Sequence, residues 1–350
     1  MPLRAWLLIL ITGCGDDGVH HLPDAPPSTD APADSDGSGL VYNCGTFTQD
    51  PGWTLTAGFH AVVIADATGM LSQPVAATVA GKGYGGKIYV VNQGDNTLRA
   101  VAPATGTTEL VVAAAGWPTP PRLLTTIRWD ATSVFDGKLY VGDQGGDGDG
   151  DSTIFTVASS GAPAQFVTGP GPGLDDIYGM AFSTSAAYGA SLLVTGDTDG
   201  AGVDWGRFDA AATVTAFSEL AGTEGIAFDT TGAFGGGLFA SRPATGGYAG
   251  DDSISRVNPD GTAGVPLLVA RPGVHAIAFA PAGPFGGKLY AASWASQELF
   301  SVDPSGTVAV LASGLQLTNY DGNILAFSPD GRVLYVADRL ANRLVCIEPL

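Results

Sequence analysis

One phrase recurs six times along this chain of 350 residues: an apolar-Ala-Phe triplet, a turn containing Gly, then Gly-x-Leu-Tyr followed by Val or Ala. Four copies are close to one another: GMAFSTSAAYGASLLV from Gly179, GIAFDTTGAFGGGLFA from Gly225, AIAFAPAGPFGGKLYA from Ala276 and ILAFSPDGRVLYVA from Ile324. TTIRWDATSVFDGKLYV from Thr125 and AATVAGKGYGGKIYVV from Ala76 are more divergent. The equivalent turn residues Gly86, Gly137, Ala190, Gly236, Gly287 and Gly331 are spaced by 51, 53, 46, 51 and 44 residues. Each copy continues into a third apolar strand and a Gly turn, as in SISRVNPDGT and LFSVDPSGT, and then a fourth strand such as VPLLVA or VAVLAS. Four strands at this period describe a propeller blade, whereas a helical solenoid needs a 3.6-residue apolar period that is absent. The fold class is therefore all-β, a six-bladed β-propeller with four-stranded blades. Length alone would have suggested two domains.

The ends of the array predict how the ring closes. The last copy stops after its third strand, RLVCIEPL, while an orphan strand, residues 58–65, precedes the first inner strand. Supplying that N-terminal strand as the fourth of the last blade pairs both terminal edges. Cys44 lies upstream of the orphan strand and Cys346 in the strand it should join. A disulfide between them would staple the closure and constrain the unfolded chain by roughly 4–5 kcal/mol. The alternative is two buried free thiols.

Residues 1–13 have the form of a signal peptide: Arg4, a short apolar run from Ala5 to Ile11, then small residues. The run is too short to span a bilayer. Ile11-Thr12-Gly13-Cys14 resembles the bacterial lipobox, which implies lipidation of Cys14 as the first mature residue, and Gly15 after it implies the outer membrane by the same resemblance. Residues 14–39 follow as a tether with six Asp and no aromatic or basic residue, too polar to offset its own ordering entropy. Residues 40–350 form the propeller. The expected location is the cell envelope, with membrane contact through the lipid anchor only, and the expected state is a monomer.

Charge narrows the partners. The net charge is −19, and 29 of the 34 acidic residues are Asp. Such a field repels a phosphate backbone, which disfavours nucleic acid. Asp in place of Glu also places the acids in turns and loops.

The two faces of the ring should differ. Turns joining the first strand to the second, and the third to the fourth, are short and built of Gly, Pro, Asp and Asn. The other connections are long and carry the unusual polar residues. Among them Asp143, Asp147, Asp149 and Asp151 place carboxylates on a Gly-rich loop that could wrap calcium, a hard cation needing six to eight oxygens. It is not an EF-hand, because Ser152 stands where that motif needs Gly and Ala158 where it needs Glu. A solvated loop is the competing reading.

The phrases Asp321-Gly322-Asn323-Ile324-Leu325-Ala326-Phe327-Ser328-Pro329-Asp330-Gly331 and Glu224-Gly225-Ile226-Ala227-Phe228 resemble the senescence-marker/gluconolactonase family of six-bladed, calcium-dependent lactonases. NHL-type and other noncatalytic propellers share the phrase Ser-Pro-Asp-Gly-x-x-Leu-Tyr-Val-Ala-Asp, which runs here from Ser328 to Asp338. The lactonase resemblance implies Glu224, Asp321 and Asp176 as axial metal ligands, with His275 as general base or further ligand. A calcium there would polarise a lactone carbonyl and help activate water. The chain departs from that pattern at His275, Gln73 and Arg122, where oxygen ligands would be expected, and Asp-Gly or Glu-Gly before a strand also serves simply as a turn.

Arg122, Trp205, Tyr248, Trp294 and Tyr320 fall in or near loops of the same face and suit a sugar or peptide, with rim packing as the alternative. No Gly-x-Ser-x-Gly elbow, Walker loop or His-Glu-x-x-His is present, and no organic cofactor is indicated. The leading expectation is a propeller that binds an envelope protein, peptide or saccharide through its long-loop face, stabilised by calcium. The rival is a metal-dependent lactonase-like hydrolase.

Overall fold

A computed structural model describes residues 42–45, 47–81, 83–145, 151–169, 171–172, 174–183, 185–196, 204–244, 250–319 and 322–350. The signal peptide, Cys14 and the tether lie outside the described residues. Among the described residues no helix is long and apolar enough to cross a membrane.

Six antiparallel sheets form the six blades, and the strands run from the axis outward in chain order except where the N-terminal strands are added on the outer edges of the fifth and last blades. The fourth blade is typical, with Ile226–Phe228 innermost, then Leu238–Arg242, Ser253–Val257 and Ala263–Leu268. The innermost strand Val274–Phe279 is buried at every position, because blades pack against both of its faces, whereas the outermost Val308–Ser313 keeps an exposed face. The apolar side chains group into six clusters, several of which draw on two adjacent blades, as where Ile277 and Phe279 pack with Phe239 and Ile254.

The ring closes as the sequence predicts. Phe59–Ala65 pairs antiparallel with Arg343–Pro349 as the outermost strand of the last blade. Cys44 and Cys346 are joined by a disulfide with Cα atoms 5.6 Å apart. Beside the bond the Cys44 N–H donates to Glu348 Oε2 at 3.0 Å. One element was not foreseen: Thr54–Leu55 pairs with Val308–Ser313 and gives the fifth blade an extra edge strand. The same entering segment therefore clasps two blades.

The short turns repeat two devices. In the second and fourth blades a buried Asp at the end of the innermost strand holds its turn through backbone amides. Asp229 Oδ1 accepts from Thr231 and Gly232, and its Oδ2 from Phe234 and Gly236, at 2.7–3.0 Å. Asp130 Oδ2 makes the matching bonds with Phe135 and Gly137. This accounts for part of the Asp excess. The second device is an aromatic residue facing the next blade: Tyr84 Oη donates to Val157 O at 2.6 Å, and Tyr188 Oη donates to Val257 O at 2.5 Å. In the third blade the left-handed turn residue is Gly189, not its neighbour Ala190, which stands where the other blades have Gly.

Candidate functional site

The long connections meet the innermost strands at one mouth of the central channel, and there the innermost strands are irregular. In the first, second and fifth blades a β-bulge shifts the register near the start of the innermost strand, leaving Val75, Thr125 and His275 as the extra residues. A bulge re-aims a side chain and loosens strict alternation. By repeat alignment Glu224 occupies the fourth blade's equivalent of His275, each standing two residues before its Ile.

Glu224 and His275 are both nearly enclosed, at 2 % and 1 % exposure. Ser241, at the end of the second strand of the fourth blade, anchors both. Its carbonyl accepts the Glu224 N–H at 3.1 Å, and its hydroxyl donates to the His275 carbonyl at 2.7 Å. The blades approach so closely here that a side chain on Gly225 would place its Cβ 2.2 Å from the His275 carbonyl oxygen. His275 Nδ1 lies 3.4 Å from the Gly273 carbonyl. Burial pushes its imidazole pKa down to about 4, with the Gly273 carbonyl opposing, so the ring is neutral at pH 7.

Asp176 lies at the entry to the third blade with φ of 43°, a left-handed conformation that Asp tolerates better than most residues, and is partly exposed. Asp321 and Tyr320 lie outside the described residues, as do Asp147, Asp149 and Tyr248. Among the described residues, the one group of three metal-ligating side chains within 4.8 Å of one another is Cys44, His60 and Glu348, and its cysteine is held in the disulfide. Glu224, Asp176 and His275 do not form such a group.

The acidic loop divides between fold and solvent. Asp143 is buried, and its Oδ1 accepts the Leu123 N–H at 2.7 Å, tying down the connection that enters its own blade. Burial raises its pKa, while bonds from the Leu123, Arg122 and Gly145 amides oppose that rise. Asp338 repeats this role in the last blade, accepting the Gln316 N–H at 2.8 Å. Asp151 is exposed and stands 4.0 Å from the Arg122 guanidinium, which is itself 65 % exposed.

Of the aromatic candidates, Trp205 is corrected by its burial. Trp205 begins a strand and is wholly enclosed, with its ring against Phe217 and its Nε1 donating to Leu220 O at 3.2 Å. It is a core residue and has no face for a ligand. Trp294 is partly exposed and packs against the fifth-blade cluster.

Sequence reasoning missed a constellation where the first and last blades meet. Arg339 Nη1 donates to Thr318 Oγ1 at 2.5 Å, and its Nη2 reaches Gln93 Oε1 and, at 3.5 Å, Gln73 Oε1. Gln93 in turn donates to the Leu124 carbonyl at 3.3 Å. Its one sequence signal is the Arg that follows Leu334-Tyr335-Val336-Ala337-Asp338.

No protein-family model matches this chain, and no curated protein matches it in sequence. Solved structures do match in shape. A gluconolactonase from Xanthomonas campestris superposes with a TM-score of 0.61 at 12 % identity, covering 89 % of this chain and 99 % of its own. An auxiliary nutrient binding protein from Bacteroides ovatus gives 0.58 at 13 %, covering 84 % and 78 %. A streptogramin B lyase gives 0.54 at 13 %, covering 83 % and 98 %. This likeness establishes the propeller. At such identities it extends to fold alone.

Proposed function

We propose that this propeller, held at the cell envelope by a lipidated Cys14, binds a ligand or partner protein through its long-loop face, with calcium stabilising the acidic loop. The observation that carries the reading is the asymmetry of the faces. On the short-turn face, carboxylates such as Asp130 and Asp229 are saturated by their own turns. On the other face Arg122 and Asp151 are exposed, and Arg339, Gln73, Gln93 and Thr318 assemble polar groups from different blades. Auxiliary nutrient binding proteins among the structural neighbours agree with a binding role. Asp151, Asp147 and Asp149 supply hard oxygens suited to calcium, with Asp143 anchoring the base of the loop. A peptide or saccharide array probed with wild type and Arg122→Ala tests the assignment. Binding lost in the variant supports it, and retention that is lost only on altering the short-turn face overturns it.

A second reading is a lactonase-like hydrolase, favoured by the anchoring of Glu224 and His275 on one serine and by the neutral imidazole. Calcium held by Glu224 would polarise the lactone carbonyl, and His275 would accept a proton from water. The imidazole is a poor calcium ligand, which places it on the proton-transfer side of such a site. Lactone turnover abolished by Glu224→Gln supports this reading. Full folding and no turnover in calcium-loaded wild type removes it.

A further inference from the structure

Arg128 breaks the six-fold pattern. Repeat alignment places it level with Thr78, Ala181, Ala227, Ala278 and Ala326, one residue per blade on the innermost strands. Those five are small and buried at 6–8 % exposure, whereas Arg128 is partly exposed. Its Nε donates to Met180 O in the third blade at 2.8 Å, and its Nη2 donates to Ile226 O in the fourth at 3.3 Å. A side chain from the second blade that reaches the innermost strand of the fourth must cross the space those strands enclose. The guanidinium therefore lies in the central channel.

Among the described residues its charge is not balanced by an acid, and both its bonds go to neutral carbonyls. Burial lowers its pKa to about 10, which leaves it a cation at neutral pH. A guanidinium has five N–H donors in a planar fork. Two are used, and no hydrogen bond from Nη1 is found among the described residues. The two carbonyls fix the plane of the fork from one side, so the Nη1 side is preorganised toward the axis. A planar fork held in this way matches an oxyanion, in bidentate fashion for a carboxylate.

We propose that the Nη1 side of Arg128 is an anion site in the central channel, taking a carboxylate or a comparably small oxyanion. The site does not depend on how the long-loop face is used.

Bromide soaked into crystals, located by anomalous diffraction, and formate titrated by thermal shift are the two probes. The expected result is a bromide at hydrogen-bond distance from Nη1, stabilisation by formate, and loss of both in Arg128→Met. Arg128→Lys, which keeps the charge but not the fork, should weaken the apparent formate affinity by about tenfold. Wild type alone can overturn the proposal should Arg128→Met fail to fold: no bromide at Nη1, or bromide without any formate effect (an adventitious ion only), each defeats it. Equal formate stabilisation of wild type and Arg128→Lys also defeats it.

Discussion

The Tyr188 hydroxyl donates to the Val257 carbonyl at 2.5 Å and accepts the Leu238 N–H at 3.4 Å, so one side chain in the third blade stitches two strands of the fourth. Tyr84 does the same between the first and second blades, through Val157 and Leu139. Tyr188→Phe keeps the ring and leaves a buried carbonyl and N–H without their partner. The expected loss is about 1–3 kcal/mol in denaturant unfolding. Tyr84→Phe should lose a similar amount, and the double variant should show near-additive losses because the two pairs share no contact. Strong non-additivity would mean that the blades do not carry these bonds independently.

Removing the disulfide takes away the covalent staple of a closure that strand pairing also holds. Cys346→Ser should lower unfolding stability by about 4–5 kcal/mol, since the bond closes a loop of 302 residues. Alkylation of the native protein before and after reduction, followed by mass measurement, checks the bond itself.

Gly225 is constrained by its neighbour and not by its own dihedral angles. Gly225→Ala drives a Cβ toward the His275 carbonyl, which is backbone and can move only with its strand. A loss of about 1–3 kcal/mol is expected from overpacking. Gly232→Ala, in open space but with φ of 75°, separates the two causes, because its loss would come from the left-handed backbone alone.

The stability of the propeller should fall as the pH drops from about 6.5 toward 4. His275 binds its proton less readily in the folded state, with a pKa of about 4, than in the unfolded chain, where the ordinary value is near 6.5. Between those values the unfolded state holds the extra proton, so acid favours unfolding, with a contribution on the order of 3 kcal/mol. His275→Gln should flatten the profile in that window. A profile unchanged by the substitution would show that His275 is not the buried base responsible.

Asp229→Ala should cost at least about 2 kcal/mol, because several backbone donors of one turn lose their acceptor together. Hydrogen exchange confined to the turn around residues 229–236 would verify that the damage is local.

The architecture was legible because repetition supplies its own alignment. One copy of Gly-x-Leu-Tyr is a strand end, and six at a near-constant period are a ring. The closing strand followed from counting strands, whereas the cysteines stayed open between a disulfide and two free thiols until their geometry decided it. Local geometry was not legible in the same way. Trp205 belongs to a loop by sequence and to the core in space, because alternation across a short strand decides which way an indole faces. The bulges at Val75, Thr125 and His275 depend on register with a partner strand and leave no mark of their own in the chain. Arg128 sits in one of the two most divergent copies, level with four alanines and a threonine elsewhere, and its meaning required knowing that those small residues face an axis. Arg339 gathers partners from the other end of the chain, a distance over which side-chain chemistry gives no sequence signal.

The clasp between Phe59–Ala65 and Arg343–Pro349 also fixes an order of events during synthesis. The first of these strands emerges early and its partner only after the intervening blades have been made. Until then it waits with an open hydrogen-bonding edge, exposed to any other strand that passes. A nascent chain can stack its first blades as they appear, yet the two ends of the circle meet last, and oxidation of Cys44 with Cys346 marks the moment at which the newborn ring is whole.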